Sequence, residues 1–198
     1  MNLPNKLTVL RMALVPVFLV FFYLGQGEMG PLSHGAALAC AIAALLVFAG
    51  ASFTDMLDGQ IARKYGLVTN FGKLMDPLAD KVLTTAAFVC FVDTSVMAAW
   101  MLIVILAREF AITSLRAIAA SEGVVLAAGS LGKLKTVLQM AAILLLLLMR
   151  VVIAADTSGA VPWGLNWFAQ LVLLAAVIIT VWSGIDYLWK GRKLLNIK

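Results

Sequence analysis

Apolar residues fill this chain in long runs, broken at intervals by short polar or glycine-rich stretches. The runs are Met12–Leu24, Ala36–Phe53, Val82–Val92, Val96–Ala107 continuing to about Ala120, Val137–Ala155 and Leu165–Trp189. A membrane-crossing helix takes about 20 residues, and the pattern predicts six of them. Gly25–Ser33, Asp93–Ser95 and Asp156–Pro162 read as turn-like connections. Pro4 suits a first helical turn, and Pro16 is placed to kink the first span. Lys6 and Arg11 precede the first apolar run much as basic residues precede a signal peptide's core. No convincing small-x-small cleavage site follows and further spans come soon after, so the run reads as a retained first span. No repeat or low-complexity linker divides the chain, and residues 1–198 read as one domain.

Composition turns this pattern into a class. Of 198 residues, 63% are hydrophobic and 13% charged. A soluble domain is about half apolar and about a quarter charged. A globule of this size has too little interior for that much apolar surface, and disorder requires the opposite composition. The fold class is therefore an all-α integral membrane protein with six transmembrane helices. Fifteen Lys and Arg stand against ten Asp and Glu. Because the basic residues flank the apolar runs, they point to anionic lipid headgroups and to orientation, not to nucleic acid.

The first, third and fifth connections carry no Lys or Arg apart from Arg150 at an edge. The other side carries Lys6, Arg11, Arg63, Lys64, Lys73, Lys81, Arg116, Lys133, Lys135, Lys190, Arg192, Lys193 and Lys198. This asymmetry predicts cytoplasmic termini and cytoplasmic 54–81 and 116–136 connections. Trp100, Trp163, Trp167, Trp182 and Trp189 fall mostly near span ends and read as interfacial anchors. Cys40 and Cys90 lie inside apolar runs, as small buried apolar residues do. His34 is the lone histidine and reads as a loop residue, which disfavours histidine-based metal or acid–base chemistry.

The acids change the picture further. Asp55, Asp58, Asp76 and Asp80 fall within 26 residues, at the expected cytoplasmic ends of the second and third spans. Asp55 and Asp58 are spaced i,i+3, and Asp76 and Asp80 i,i+4, so each pair shares a helix face. Asp76 as N-cap and Pro77 at the first helical position predict that the third helix begins there. The Lys64–Leu74 connection would then let two antiparallel helices bring the pairs face to face. A solvated rim balanced by Arg63, Lys64, Lys73 and Lys81 is the plain structural alternative. Four converging carboxylates, however, repel one another unless a positive charge sits between them. Oxygen ligands without His or Cys suit a hard cation such as Mg²⁺ or Mn²⁺, and four carboxylates suffice for two ions. Gly59 and Ala62 are small where a phosphate would approach, and Arg63 offers a guanidinium fork. Gly72 by itself is an ordinary turn glycine.

Taken together these residues read D-x2-D-G-x2-A-R-x8-G-x3-D-x3-D, from Asp55 to Asp80. The string resembles the signature of the CDP-alcohol phosphatidyltransferases at every fixed position. The resemblance implies a six-span membrane enzyme with its active site at the cytoplasmic helix ends. Such an enzyme transfers a phosphatidyl-type group from a CDP-linked lipid to an alcohol and releases CMP. It implies metal ligands at Asp55, Asp58, Asp76 and Asp80, with Asp80 also the general base. Gly59, Ala62, Arg63 and Gly72 then match positions at the nucleotide and diphosphate. Asn5 and Thr8 are candidates for the nucleotide site, or alternatively cap an interfacial turn.

The acceptor is a separate question. The stretch from Asn2 through Arg11 to Pro16, Arg108-Glu109-Phe110, and Gly132-Lys133-Leu134-Lys135-Thr136 resemble the bacterial branch of that family that makes phosphatidylglycerophosphate. That branch implies CDP-diacylglycerol and sn-glycerol 3-phosphate as substrates, a bacterial cytoplasmic membrane, and a homodimer as one candidate assembly. Arg108, Arg116, Lys133 and Lys135 form a basic set suited to the acceptor phosphate. Arg108 and Arg116 are spaced i,i+8 on nearly one face. Two plainer readings stand beside this: charge compensation of Arg108 by Glu109, although sequence neighbours do not face each other on a helix, and positive-inside bias for the rest. Rivals for the whole chain are the same chemistry on inositol phosphate, phosphatidylglycerol or serine, a divalent-cation transporter, and a non-enzymatic scaffold.

Overall fold

A computed structural model describes residues 3–26, 33–65, 70–124, 129–156 and 163–195, and side chains within them except at 3–4, 55–65, 70–74, 76–77, 191 and 193–195. Six helices follow in order: α1 (Leu3–Leu24), α2 (His34–Tyr65), α3 (Asn70–Asp93), α4 (Ala99–Ser121), α5 (Ser130–Ala155) and α6 (Trp163–Leu195). Each contains one of the six apolar runs, except that the fourth run begins at Val96, three residues before α4. Four have a stretch long and apolar enough to cross a membrane: Asn5–Leu24, His34–Thr54, Ser130–Ala155 and Trp163–Lys190. The other two fall short because of their charges. Every 18-residue stretch of α4 contains Arg108, Glu109 and Arg116, and α3 carries Lys73, Asp76, Asp80 and Lys81 in its first half.

Two helix starts depart from the expectation. Helix α3 begins at Asn70, so Asp76 and Pro77 lie inside it and Asp76 is not its N-cap. Pro77 has no N–H for the carbonyl four residues earlier, a loss that helices in membranes tolerate. The Lys64–Leu74 connection shrinks accordingly, because α2 runs on to Tyr65. Hydropathy ends the second span near Phe53, but Gln60, Ala62, Arg63 and Lys64 are good helix formers and carry the helix onward. His34 is the first residue of α2 and not a loop residue; Ala36 N–H donates to Ser33 Oγ at 3.4 Å just before it.

The chain divides into two compact units. The first comprises residues 1–91 and 143–166. Here α1 packs on α2. Buried positions recur along α1 at Thr8, Arg11, Val15, Phe18 and Phe22, and along α2 at Ala41, Ala44, Phe48 and Ala51. Both series alternate steps of three and four, the spacing that keeps one seam facing a partner helix. Small residues on α2 allow close approach. Gly25 allows more, since a Cβ there would sit 3.0 Å from Ala41 N and 3.2 Å from Ala41 Cα. Phe18 stands 5.8 Å from Phe22 and from Phe48, and Phe22 5.8 Å from Phe91, centroid to centroid. The Arg150 guanidinium lies 4.8 Å over the Phe22 ring.

The second unit comprises residues 92–142 and 167–198. Gln170 Nε2 donates to Val96 O at 2.8 Å, tying α6 to the turn before α4. At the end of α4, Gly123 takes φ +74°; its N–H reaches Ala120 O at 3.1 Å and Val124 N–H reaches Ala119 O at 2.8 Å. These two bonds close the helix, and the left-handed backbone they need favours glycine.

Large apolar side chains face outward in both units. Leu46, Phe53, Ile103, Leu171, Ile178 and Ile185 are exposed, as are all five tryptophans, while Leu173, Ala176 and Val177 of α6 are buried. A helix apolar on every face belongs in lipid or in a large core. Inside, by contrast, lie Asn5, Thr8, Arg11, Lys135, Gln139, Thr180 and Ser183. Cys90 is buried and Cys40 half-buried.

Candidate active site

The signature falls on two helices. Asp55, Asp58, Gly59, Ala62 and Arg63 occupy the last turns of α2, beyond its apolar stretch, which ends at Thr54. Counted from Asp55 they stand at +3, +4, +7 and +8, one stripe of a helix. Gly72, Asp76 and Asp80 stand at steps of four on α3, so Gly72 is helical and not a turn residue. The side chains of Asp55, Asp58, Gly59, Ala62, Arg63, Gly72 and Asp76, and the expected face-to-face meeting of the two acid pairs, lie outside the described residues.

Asp80 is half-buried. Around these carboxylates, hydroxyls are turned back onto the helices. Ser52 Oγ donates to Phe48 O and Thr54 Oγ1 to Ala51 O, each at 2.8 Å, and Thr84 Oγ1 donates to Asp80 O at 3.0 Å. Hydroxyls satisfied in this way need no water where the helix runs through apolar surroundings. Asn5 and Thr8 both sit buried one turn apart on α1, followed at the same spacing by Arg11, of which 1% is exposed.

The basic set divides sharply. Arg116 and Lys133 are exposed. Arg108 and Lys135 turn inward, with side chains 13% and 7% exposed. Eight residues advance a helix by two turns and about 80°, enough to separate Arg116 from the face of Arg108. Glu109 joins the two inward cations. Its Oε1 accepts from Arg108 Nη1 at 3.1 Å and also from Lys135 Nζ. Adjacent residues do meet here, because both side chains are long and flexible.

Arg108 is held from α6 as well. Its Nη2 donates to Ser183 Oγ at 2.8 Å, and its stem lies where a Cβ on Gly184 would come within 3.0 Å of Cγ. One turn from these, Gln139 Nε2 donates to Thr180 Oγ1 at 3.1 Å, and Thr180 Oγ1 donates to Ala176 O at 2.6 Å. The sequence reading missed Ser183, Gly184, Gln139 and Thr180. The available signal was polar and small residues interrupting otherwise apolar helices. Such a seam in an apolar setting satisfies most of the buried polar groups of three helices, Arg108 Nε excepted.

Comparison with known proteins gives this geometry a context. The model of the CDP-alcohol phosphatidyltransferase family matches residues 1–182. The CDP-diacylglycerol–glycerol-3-phosphate 3-phosphatidyltransferase of Bacillus subtilis (strain 168) is 42% identical over 206 aligned positions, covering 98% of this chain and 99% of that protein. A probable phosphatidylglycerophosphate synthase of Mycobacterium tuberculosis (strain ATCC 25618 / H37Rv) is 38% identical, covering 97% of this chain and 82% of that one. A protein of Rickettsia bellii (strain RML369-C) with the same name as the Bacillus relative is 37% identical, covering 97% and 96%.

Proposed function

This chain belongs to the CDP-alcohol phosphatidyltransferase family, and from that premise we propose that it transfers the phosphatidyl group of CDP-diacylglycerol to sn-glycerol 3-phosphate. The products are phosphatidylglycerophosphate and CMP. The observation that carries the reading is full-length similarity, at 42% identity, to a protein named for that activity.

In this reading an acceptor hydroxyl attacks the phosphorus attached to diacylglycerol. The new P–O bond forms as the bond to CMP breaks. Asp80 takes the hydroxyl proton as that bond forms. Arg63 neutralises the diphosphate with its guanidinium fork, and Gly59, Ala62 and Gly72 leave room for it. Asn5 and Thr8 contact the nucleotide. Arg108, Arg116, Lys133 and Lys135 receive the acceptor's phosphate, and the inward pair carries most of its binding.

Asp55, Asp58, Asp76 and Asp80 would hold Mg²⁺ or Mn²⁺, two ions in all. The donor set fits, being carboxylate oxygen throughout, in pairs spaced by one helical turn. Bound there, the ions supply positive charge against the leaving diphosphate. Four helices long and apolar enough to cross a membrane, with α3 and α4 read as two further spans, support residence in a bacterial cytoplasmic membrane. Both termini and the signature then face the cytoplasm.

The test is CMP release by detergent-purified protein given CDP-diacylglycerol, Mg²⁺ and glycerol 3-phosphate. Release should depend on the acceptor and stop with a chelator. Silence with glycerol 3-phosphate in protein that releases CMP with inositol phosphate, phosphatidylglycerol or serine would overturn the acceptor and keep the chemistry.

A further inference from the structure

Arg108 and Lys135 come from different helices, and nothing in their own chemistry brings two cations together. Left to themselves they would repel and turn apart. The structure supplies a reason for their meeting: both donate to one oxygen, Oε1 of Glu109. The guanidinium and ammonium nitrogens therefore lie within two hydrogen-bond lengths of each other. Two cations thus share one carboxylate at a place that is mostly buried.

Arg108 is further fixed on the α6 side. Ser183 Oγ accepts from Nη2, and Gly184 lets the stem lie against the helix backbone. Its Nε is buried and has no partner. Beside the head, Gly132 of α5 leaves space, since a Cβ there would only just touch Nη2, at 3.9 Å. A guanidinium clamped on two sides, beside a residue with no side chain, is preorganised for a further anion.

We propose that Glu109 is a positioning residue for the acceptor: through one carboxylate oxygen it sets Arg108 and Lys135 at the separation at which a single phosphate meets both. Ser183 and Gly184 hold Arg108 against recoil when that phosphate arrives. The role rests on the glycerol 3-phosphate reading above. It differs from a purely structural ion triad, which would stabilise the helices without favouring either substrate.

The experiment is steady-state CMP release with each substrate varied in turn. Wild-type protein is measured first; failure to use glycerol 3-phosphate there overturns the acceptor reading and this role with it. With that activity present, Glu109→Ala should raise the KM for glycerol 3-phosphate by about 10-fold or more. The KM for CDP-diacylglycerol should stay within about twofold, and kcat should fall less than the acceptor KM rises. Glu109→Asp should recover part of the loss, and Glu109→Gln, which keeps shape without charge, should recover less. Inorganic phosphate, as a competitor of glycerol 3-phosphate, should lose inhibitory strength in parallel. An unchanged or lowered acceptor KM in Glu109→Ala overturns the proposal, as does an equal rise for both substrates. Should that variant fail to fold, Ser183→Ala decides, because it deletes a single oxygen. A rise of about threefold in the acceptor KM alone supports the clamp, and no change overturns it.

Discussion

The stretch from Asp55 to Asp80 and the polar seam of α4, α5 and α6 gather charge in opposite ways. The first repeats one sign, four carboxylates spaced by three and four along two helices. Such a group, where its members converge, calls for positive charge between them, which under the proposed function bound metal ions would supply. The second alternates sign. Arg108, Glu109 and Lys135 close on one another, and Ser183, Gln139 and Thr180 complete the seam with neutral hydrogen bonds. Its cations and carboxylate lie in mutual contact. The difference teaches where each region should be sensitive. The acidic stretch should fail in its chemistry when a single carboxylate is neutralised. The seam should fail gradually, in affinity for one substrate or in stability.

The sharpest break is Asp80→Asn. CMP release should fall by about 10²- to 10⁴-fold while CDP-diacylglycerol binding persists, measured by turnover and by lipid binding to the same protein. Normal turnover would remove Asp80 as the base. Next comes Arg108→Ala, which should raise the KM for glycerol 3-phosphate by about 10- to 100-fold and that for CDP-diacylglycerol far less. Equal effects would count against an acceptor role.

Away from both regions the effects should move from catalysis to stability. Gly25→Ala would force the end of α1 away from the Ala41 backbone, 3.0 Å from the new Cβ, and cost about 1–3 kcal/mol in thermal unfolding in detergent. An unchanged midpoint would show that the two helices slide apart freely. The smallest effect belongs to Lys190→Ala. Its ion pair with Asp186, at 2.7 Å, is exposed, and loss of the pair should shift stability by less than about 1 kcal/mol.

These regions also differ in how far the sequence disclosed them. Asp55 to Asp80 is visible because helical spacing is local: three or four residues apart in the chain is one turn apart in space. Helix existence was visible for a similar reason, since apolar runs announce themselves. The starts were harder. Nothing in hydropathy extends α2 from Phe53 to Tyr65, or carries α3 back from Pro77 to Asn70; backbone propensity does so through polar residues. The seam was hidden because its partners stand far apart in the chain, Arg108 and Ser183 by 75 residues and Glu109 and Lys135 by 26. A serine beside a glycine in an apolar helix gives little notice that an arginine will lie against it. Arg116 and Lys133 share the charge of Arg108 and Lys135 but are exposed, because burial follows a residue's angle around the helix as well as its type.

Helix α2 carries one more consequence. It passes unbroken from an apolar stretch of 21 residues into the signature at Asp55. At 1.5 Å per residue the apolar stretch is about 30 Å long, close to the hydrocarbon thickness of a bilayer. The helix would therefore act as a gauge rod: lengthening or shortening it by one turn would move Asp55 and Asp58 by about 5 Å along its axis. Under the proposed function, turnover should then vary with bilayer thickness. Lipids whose hydrocarbon layer is much thinner or thicker than the rod would carry the signature out of level with the diphosphate of a lipid substrate.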